Sequence, residues 1–492
     1  MGLAKVLTRG LRGLKAPLVT VEVHVAGGLP AMNIVGLPEA SVREARDRVR
    51  SAIQNSGFEY PASRVTINLA PADLPKEGGA FDLPIAVGIL AASGQLNTQA
   101  LDQLELLGEL SLNGELRPVR GALPIAMAVN AVGRALVLPP DNAREAALVD
   151  GLAVHEATHL LSLVAAFNSG QALPRAAAPS YAASAPAMLD MSDVRGQAQA
   201  KRAMVVAAAG AHNVMLEGPP GSGKSMLAKR LSGILPPLSN QEALEVAAIQ
   251  SLVGEPLADV SWLTRQSRIV HQTASVVALI GGAKPGEITR AHHSVLFLDE
   301  VLEFPRKSLE ALRDPLENGY IDISRANFKY RYPAEFQLVM AMNPCPCGDP
   351  DDCRDTPDQI RRYRAKLSGP ILDRMDIHLQ IPRVKHAELM ADDSVTVENS
   401  QQLQAAVIAA REIQQQRQAR PNARLEAAEL ERLAAPTAAA KALLATALHK
   451  LNLTARGYHR LLKVARTVAD LAGSEMIEAE HMAEAIGYRA QL

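Results

Sequence analysis

The 492-residue sequence has little of what marks a secreted or membrane protein. Its three cysteines all lie between Cys345 and Cys353, which is no disulfide framework for a chain of this length. No apolar run approaches the ~18 residues of a membrane span. The basic first residues lead into TVEVHV, whose alternation is typical of a first strand rather than a targeting segment. We therefore expect a protein of the reducing cytoplasm that does not contact membranes.

An excess of charge of one sign is also missing. Lys and Arg total 51 and Asp and Glu total 52, so the net charge is −1 and the whole chain has no attraction for polyanions. Contact with nucleic acid must therefore come from local basic patches. The hydrophobic content of 48% is ordinary for a globular protein. At ~100 to 200 residues per domain, the length predicts roughly three domains.

Composition and periodicity divide the chain into four segments. Residues 1–170 alternate β-rich runs with helical patterns and predict an α+β domain. Residues 171–189 are rich in Ala, Pro and Ser and predict a linker. Residues 190–385 show the strand, glycine loop and helix order of a parallel α/β sheet, and residues 386–492 predict a helical module.

The string GPPGSGKS fits the phosphate-loop pattern G-x-x-x-x-G-K-[ST], with an apolar strand before it and a helix after it. Small residues let backbone N–H groups face phosphate oxygens, and the helix adds its positive end. Lys224 is expected to bridge the β- and γ-phosphates, and the Ser225 hydroxyl to bind Mg²⁺. The predicted ATP ligands in this loop are Gly218, Pro219, Pro220, Gly221, Ser222, Gly223, Lys224 and Ser225.

The string VLFLDE is an apolar strand that ends in two acids. Asp299 is expected to hold Mg²⁺ through water, and Glu300 to polarise the water that attacks the γ-phosphate. Acids at a strand end are common by themselves, but here they follow a phosphate loop in the same domain. The pair therefore predicts ATP hydrolysis, with ATP and Mg²⁺ as cofactors.

These motifs are parts of longer strings: DVRGQAQAKRAM, HHSVLFLDE, LENGYIDISRA, AMNPCPCG and SGPILDRMDIH. Together they closely resemble the magnesium-chelatase-like AAA+ family of bacterial competence proteins, the ComM or YifB group, over nearly the whole chain. The resemblance implies a P-loop sheet domain with a helical lid. It also implies a ring, most often a hexamer, because an arginine finger supplied in trans needs a neighbouring subunit.

The resemblance implies three residue roles. Asn343 in AMNP is similar to the sensor residue that orients the hydrolytic water. Arg374 in LDRMD resembles the arginine finger that reaches the γ-phosphate of the next subunit. Arg456 in TARGYHR resembles the sensor-2 arginine of the lid, which would contact ATP, and Arg460 is a weaker candidate. A surface ion pair is the alternative for either Arg374 or Arg456.

The N-terminal segment resembles the Lon-protease-type domain of the ribosomal S5 domain-2 fold. The strings that carry this resemblance are NLAPADLPKEGGAFDLPIAVGILAA and GELSLNGELRPVRGALPIA. Ala80 lies where that protease has its nucleophilic serine, and the run that would supply the partner lysine, GALPIAMAV, contains none. Peptide hydrolysis needs both groups. We therefore expect a domain that does not cleave peptides.

Two segments are candidates for structures that project from the ATPase core, and the second of them is also a candidate for DNA contact. Residues 266–293 contain GGAKPGE and predict a protruding insertion, and Gly319 to Pro333 predict a hairpin. In the hairpin, cations alternate with aromatic side chains, a pattern that suits single-stranded DNA, although a hairpin with one polar face would look the same. The cations are Arg325, Lys329 and Arg331, and the aromatics are Phe328, Tyr330 and Tyr332. A further basic cluster, Arg361, Arg362 and Arg364, fits either DNA contact or a solvated face.

Cys345, Cys347 and Cys353 form the pattern C-x-C-x5-C. Thiols this close in a cytoplasmic protein suggest zinc, whose closed structural sites need four ligands. The related family pattern has a second C-x-C, and this sequence has Asp355 where the last cysteine would fall. A Cys3Asp site is uncommon, so a zinc site and a degenerate loop without metal both remain open.

Three functions are compatible with the sequence. The first is a ring ATPase that translocates on DNA, a helicase or branch-migration motor in homologous recombination during natural transformation. The second is a chelatase-like or protein-remodelling ATPase that acts on a partner complex. The third, an ATP-dependent protease, is disfavoured by Ala80. As far as the resemblance goes, true magnesium chelatase motors lack the N-terminal domain, which favours the DNA motor.

Overall fold

The computed structural model describes residues 2–36, 40–74, 76, 78–177, 189–255, 262–325, 328–349, 353–384, 398–451 and 454–489, without the side chains of residues 40, 41, 43, 325 and 328. The chain forms two compact units. One is Met1–Ala183 with Gln241–Trp262, and the other is Ser184–Asn240 with Leu263–Leu492. Among the described residues, no helix is both long and apolar enough to cross a membrane. The predicted linker lies largely outside these residues, and the predicted bounds of the four segments stay predictions.

The first unit is an α+β domain around a mixed sheet whose strands lie in the order β3-β4-β2-β1-β5-β8-β9. Its described strands are β1 (Gly2–Arg9), β2 (Leu18–Ala26), β3 (Ala31–Val35), β4 (Arg64–Ala70), β5 (Leu104–Leu106), β6 (Glu109–Leu110), β7 (Leu116–Arg117), β8 (Ala135–Leu138) and β9 (Val154–Glu156). Its helices are α1 (Ala40–Asn55), α2 (Asp82–Ala92), α3 (Ala122–Asn130), α4 (Pro140–Ala146) and α5 (Leu160–Ser169). The predicted mixture of strands and helices is confirmed.

The core of this unit follows from simple periodicities. Alternate residues of β2, namely Val19, Val21 and Val23, are fully buried. On α1, the apolar residues that share one face at 3.6-residue spacing are fully buried as well: Val42, Ala45, Val49, Ala52 and Ile53. Helix α2 approaches the sheet closely, because a β-carbon on Gly88 would lie 2.6 Å from Val23 Cγ2. Glycine at this position therefore permits the contact between helix and sheet.

One helix from the middle of the chain packs with the first unit. Helix α8 (Asn240–Val253) places Ala247 and Ala248 in an apolar cluster with α3 and α4, and the Ser251 carbonyl accepts a hydrogen bond of 3.0 Å from Gly121 N. This helix falls within residues 190–385, the predicted ATPase segment, whose bounds stay predictions. A helical pattern shows which face is apolar, but not which distant part of the chain covers it.

The second unit contains a parallel five-stranded sheet in the order β11-β12-β15-β10-β16. These strands are β10 (Val214–Glu217), β11 (Ser267–Val270), β12 (Val295–Leu298), β15 (Gln337–Met342) and β16 (Ile377–Gln380), and β13 (Tyr320–Arg325) pairs with β14 (Phe328–Pro333) apart from them. Every residue of β12 and β15 is buried, as expected for central parallel strands. The predicted α/β fold class is confirmed.

Helices pack around this sheet, and the last of those described ends at Gly487. They are α6 (Ala198–Gly210), α7 (Lys224–Arg230), α9 (Val276–Ile280), α10 (Glu287–Arg290), α11 (Arg306–Glu310), α12 (Arg313–Asn318), α13 (Pro357–Arg364), α14 (Gly369–Leu372), α15 (Ser400–Gln418), α16 (Ala427–Leu433), α17 (Ala438–Lys450), α18 (Ala455–Leu471) and α19 (Ala479–Gly487). The last five lie within residues 386–492, which the sequence predicts to be helical. Their apolar faces share one core with α6 and the sheet.

The segment 266–293 is not a protruding insertion, so that prediction was wrong. It contributes strand β11, which pairs in parallel with β12. It also contributes α9 and α10, whose Leu279 and Ile288 are fully buried. The glycine-rich string between these helices forms a tight turn in which Gly281 pairs with Pro285. In the sequence, the glycines and polar residues of this turn look the same as those of an exposed loop.

Candidate active site

Three polar segments meet at the carboxyl edge of the parallel sheet in the second unit. The phosphate loop follows β10, the acids Asp299 and Glu300 follow β12, and Asn343 follows β15. In this strand order β15 lies between β10 and β12. The carboxyl ends of parallel strands form the ligand-binding edge of such sheets. The topology therefore brings together residues that lie more than a hundred positions apart in the sequence.

The phosphate loop has the backbone shape that its glycines predict. Gly221 and Gly223 have φ angles of +75° and +91°, in the left-handed region that favours glycine. Helix α7 begins at Lys224, directly after Gly223. The loop therefore delivers the chain to a helix N-terminus, where backbone N–H groups without helical partners can receive phosphate oxygens.

Lys224 lies between the loop and the strand that carries Asn343. Its Nζ donates to the carbonyl oxygens of Gly218 at 2.6 Å and Pro219 at 2.9 Å, and to Asn343 Oδ1 at 3.1 Å. Burial lowers the pKa of Lys224, and the negative charges of Asp299 and Glu300 oppose that shift. The predicted phosphate ligand and the predicted sensor residue are thus in direct contact.

Ser225 and Asp299 form a second pair at this edge. The Ser225 hydroxyl donates to Asp299 Oδ2 at 2.6 Å. A hydroxyl and a carboxylate are hard oxygen donors, the class that Mg²⁺ prefers, and Mg²⁺ commonly takes only one or two protein ligands beside water and phosphate oxygens. The two predicted metal ligands therefore fit Mg²⁺ in both chemistry and proximity.

Glu300 has an unusual backbone. Its φ is +49°, a conformation that costs a residue with a β-carbon about 1–2 kcal/mol. Its own N–H donates to Asp299 Oδ1 at 3.1 Å, and its side chain is exposed. Strained residues are enriched at functional sites. The carboxylate is therefore exposed to solvent beside Asp299, which fits the predicted role of polarising a water molecule.

Gln197 also contacts this site, although no sequence pattern had indicated a role for it. Its Nε2 donates to the Ser222 carbonyl at 2.5 Å, and its own φ is +53°. The residue belongs to the string DVRGQ, which contributed to the family resemblance. Its contact with the phosphate loop depends on a backbone conformation that cannot be inferred from the residue type. Only the family resemblance could have drawn attention to Gln197.

We expect Lys224→Ala to weaken ATP binding by at least tenfold. The variant removes the cation that faces the phosphates and leaves the oxygen atoms of Gly218, Pro219 and Asn343 without their donor. Titration with a fluorescent ATP analogue measures the effect. Lys229→Ala is the matched control, because Lys229 is an exposed lysine on the same helix. Equal affinities in the two variants would contradict the assignment.

Of the three arginines predicted to act at this site, Arg374 is already paired within its own chain. It is 8% exposed, donates to the Pro370 carbonyl at 2.6 Å and forms an ion pair with Glu317. Arg456 is exposed in the first turn of α18. Arg460, one turn later, donates to the Arg374 carbonyl at 3.1 Å and pairs with Asp376. The weaker sensor-2 candidate therefore links the helical region to the segment of Arg374.

The ion pair of Asp376 and Arg460 lies beside a buried histidine on β16. Burial, with the positive charge of Arg489 next in effect, lowers the pKa of His378 to about 4. Asp376 and Arg460 are the other charged groups that act on it. Burial opposes ionisation of Asp376, but Arg460 and His212 hold its pKa well below the usual range. His378 therefore stays neutral in the folded protein at moderately acidic pH.

We expect acid to destabilise the protein through His378. The unfolded side chain has a pKa of about 6.5, so between pH 6.5 and about 4 the unfolded chain binds a proton that the folded chain does not. Stability is therefore lost as the pH falls through this window. Between about pH 7.5 and 5, His378→Gln should lose about 1–2 kcal/mol less unfolding free energy than the wild type.

Urea denaturation at the two pH values measures this difference. His449→Gln, which changes an exposed histidine in the same unit, serves as the control and should follow the wild type. A His378→Gln profile parallel to that of the wild type would contradict the prediction.

The predicted hairpin is present, but its side chains differ from the prediction. Strands β13 and β14 pair Asp322 with Arg331 and Ser324 with Lys329. Arg331 donates two hydrogen bonds of 2.7 Å to Asp322 and lies 3.9 Å from the centre of the Tyr320 ring. Tyr332 is fully buried and its hydroxyl donates to Ala283 O, so it cannot stack on a base. Fewer cations and aromatic rings of the hairpin are therefore available to contact DNA than the sequence predicts.

Two positions of the hairpin remain as predicted DNA contacts. Lys329 is exposed on the outer face. Arg325 ends β13, but its side chain, like that of Phe328, lies outside the described residues. In the other basic cluster, Arg361 pairs with Asp358 and Arg364 pairs with Glu217, whereas Arg362 is exposed. The charge available for DNA is therefore smaller than residue counts suggest.

The three cysteines and Asp355 lie together. The Sγ atoms of Cys345 and Cys347 are 3.2 Å apart, and those of Cys347 and Cys353 are 3.3 Å apart. Asp355 Oδ2 accepts a 2.7 Å hydrogen bond from Cys347 N and lies 3.8 Å from Cys353 Sγ. One donor atom from each of the four residues lies within 4.8 Å of the others. We call these four residues the cysteine cluster.

Ala80 of the first unit offers no nucleophile at the position where the Lon-type protease has serine. It belongs to the short 3-10 turn Gly79–Phe81 that precedes α2, and its carbonyl accepts from Gly108 N at 3.2 Å. The run that would supply the partner lysine forms most of α3, with Leu123, Ile125 and Ala126 buried. Both segments serve to pack the domain.

Three family descriptions match the chain. "Magnesium chelatase, subunit ChlI" matches residues 190–389, "Subunit ChlI of Mg-chelatase" matches residues 21–142, and "Magnesium chelatase, subunit ChlI C-terminal" matches residues 397–489. The first match contains the phosphate loop, the Asp299 strand and Asn343. This family implies ATPase activity with ATP and Mg²⁺.

Known proteins resemble the chain over its full length. Competence protein ComM of Haemophilus influenzae is 48% identical over 503 residues, which cover 100% of this chain and 98% of the relative. The uncharacterized protein YifB of Escherichia coli is 48% identical over 495 residues, or 100% and 97% of the two chains. The magnesium-chelatase 38 kDa subunit of Cereibacter sphaeroides is 26% identical over 318 residues, or 59% and 87%. The chain therefore belongs to the ComM/YifB family of magnesium-chelatase-like AAA+ proteins.

Proposed function

We propose that this protein is a ring-forming AAA+ ATPase that couples ATP hydrolysis to translocation on DNA, as a helicase or branch-migration motor in the recombination of natural transformation. The observation that carries the ATPase part is the contact of Lys224 with Asn343 beside the pair of Ser225 and Asp299. The competence assignment rests on a relative named competence protein ComM. Its place of action would be the cytoplasm, where ATP and DNA occur together.

Each residue of the site has a distinct task in this proposal. The loop N–H groups and Lys224 bind and orient the phosphates. Ser225 and Asp299 would hold Mg²⁺, which neutralises phosphate charge when bound. Glu300 accepts a hydrogen bond from the attacking water, so that a lone pair of the water oxygen faces the γ-phosphorus. Asn343 helps to fix the orientation of that water. Catalysis is then positioning and charge stabilisation rather than covalent chemistry.

A chelatase-like or protein-remodelling ATPase is the second candidate. The similarity to a protein named as a magnesium-chelatase subunit favours it. The two candidates share the ATP site and differ in what stimulates it. We expect single-stranded or branched DNA to raise the steady-state ATPase rate several-fold. A rate that DNA leaves unchanged at low salt would favour the remodelling ATPase.

For the DNA contact, we propose the β13–β14 hairpin, on which Lys329 is an exposed cation. Lys329→Ala should reduce the slope of log affinity against log salt by about one for each phosphate that is no longer neutralised. Arg331→Ala should change it little, because Asp322 already holds that charge. Asp322→Ala should release Arg331 and strengthen binding.

Fluorescence anisotropy with labelled single-stranded DNA at several salt concentrations measures these slopes. Lys441→Ala removes an exposed lysine from α17 and is the charge-matched control. If Lys329→Ala and Lys441→Ala give the same slope as the wild type, the hairpin is not the DNA contact. Arg362→Ala would then be the next variant, because Arg362 is exposed.

A further inference from the structure

The cysteine cluster has the composition of a metal site rather than of a disulfide. Three thiols and one carboxylate converge, with Cys347 within 3.3 Å of both other sulfurs. A disulfide would pair two cysteines and leave the third thiol and Asp355 without a function. Three thiolates and a carboxylate oxygen, in contrast, complete the four positions of a tetrahedral zinc site.

The chain around Asp355 is held in place by hydrogen bonds of its own. Thr356 caps α13, with its side chain accepting from Gln359 N at 3.3 Å while Gln359 Oε1 accepts from Thr356 N at 2.7 Å. Asp355 Oδ2 accepts from Cys347 N. Asp349, two residues after Cys347, pairs with Arg383 at 2.9 Å. These contacts hold the Asp355 carboxylate close to the thiols.

The cluster also contacts the ATP site directly. Gly348 lies against the phosphate loop, since a β-carbon there would be 2.8 Å from Pro220 Cγ. Cys345 follows two residues after Asn343, which accepts from Lys224. Arg364 donates to the Pro344 carbonyl at 3.2 Å and pairs with Glu217, the last residue of the strand before the phosphate loop. A change in the shape of the cluster must therefore reach both Asn343 and the phosphate loop.

We propose that Cys345, Cys347, Cys353 and Asp355 bind one zinc ion, and that the bound zinc fixes Asn343 and the phosphate loop in the geometry that binds ATP. Binding is not a redox step: three thiols release three protons, and the thiolates and the Asp355 carboxylate form four bonds to Zn²⁺. No oxidant is required. The coupling to ATP rests on the proposed ATP site, whereas the metal site does not.

Metal binding is tested on the full-length protein. Zinc content is measured after purification, and the chelator-stripped chain is titrated with Co²⁺, whose visible absorption reports tetrahedral thiolate ligation. We expect one metal ion per chain, with affinity lowered about tenfold or more in Cys353→Ser and Asp355→Ala. Asp355→Cys should keep the site. Asp358→Ala, which removes an exposed carboxylate on the adjacent helix, is the control and should bind as the wild type does.

The regulatory step is tested with a fluorescent ATP analogue. Stripping zinc from the wild type should weaken nucleotide binding about tenfold, and adding Zn²⁺ back should restore it; this comparison needs no variant to fold. Lys224→Ala should bind metal normally while binding nucleotide poorly, which separates failure of the ATP site from failure of the metal site. A wild-type chain that takes up no Zn²⁺ or Co²⁺, or a disulfide between two of these thiols in the protein as purified, would overturn the metal site. Nucleotide affinity that is independent of zinc would overturn the coupling.

Discussion

The Glu300→Gln variant is expected to bind ATP normally and to hydrolyse it about 10²–10⁴-fold more slowly than the wild type. Its amide keeps the size of the carboxylate but is not a base, so it cannot accept the proton of the attacking water. The side chain of Glu300 is exposed, so the change leaves no cavity and no unpaired buried charge, and its φ of +49° is compatible with either residue. Binding and catalysis should therefore separate.

Single-turnover hydrolysis of radiolabelled ATP, with binding followed by filter retention, measures both quantities. Glu303→Gln is the matched control, because Glu303 is also exposed, lies three residues further along and faces Lys366 at 3.6 Å. We expect it to retain most of the wild-type rate. Unchanged turnover in Glu300→Gln, or an equal loss in Glu303→Gln, would contradict the role assigned to Glu300.

The parts of this site that could be predicted from the sequence are those encoded by short strings with fixed spacing. The phosphate loop needs glycines at Gly221 and Gly223 because its backbone enters the left-handed region, and the structure has them there. The approach of Asn343 to Lys224 follows from the parallel sheet, since strands β10 and β15 end at one edge. The residue types of the loop and the order of the parallel strands are together sufficient to predict this part of the site.

The parts that could not be predicted depend on partners far away or across a strand pair. The sequence alone suggests a free cation at Arg331, but the register of the hairpin places Asp322 opposite it. The sequence also does not show that the apolar face of α8 packs against α3 and α4, which lie far earlier in the chain. Neither the pairing register nor the choice of packing partner is visible in periodicity alone.

A second large effect is expected for Arg374. If it is a finger for the neighbouring subunit, Arg374→Ala should lower turnover about 10³–10⁵-fold, the usual contribution of such arginines. In the single chain its guanidinium is buried and paired with Glu317, so a structural role is the competing explanation. The two roles differ in what Glu317 does: a finger must be able to leave this partner, whereas a structural arginine needs it.

Mixing subunits separates the two roles. An Arg374→Ala subunit keeps Glu300, and a Glu300→Gln subunit keeps Arg374, so at equal mixing about a quarter of the interfaces in a ring would have both groups intact. We expect turnover well above that of either variant alone. Arg374→Lys should not restore full activity, because an ammonium lacks the planar fork of the guanidinium. Glu317→Gln, which frees Arg374, should leave turnover at or above the wild-type rate. No rescue at any mixing ratio, together with a lower unfolding midpoint for both Arg374→Ala and Glu317→Gln, would show that the ion pair stabilises the fold and that the finger is another residue.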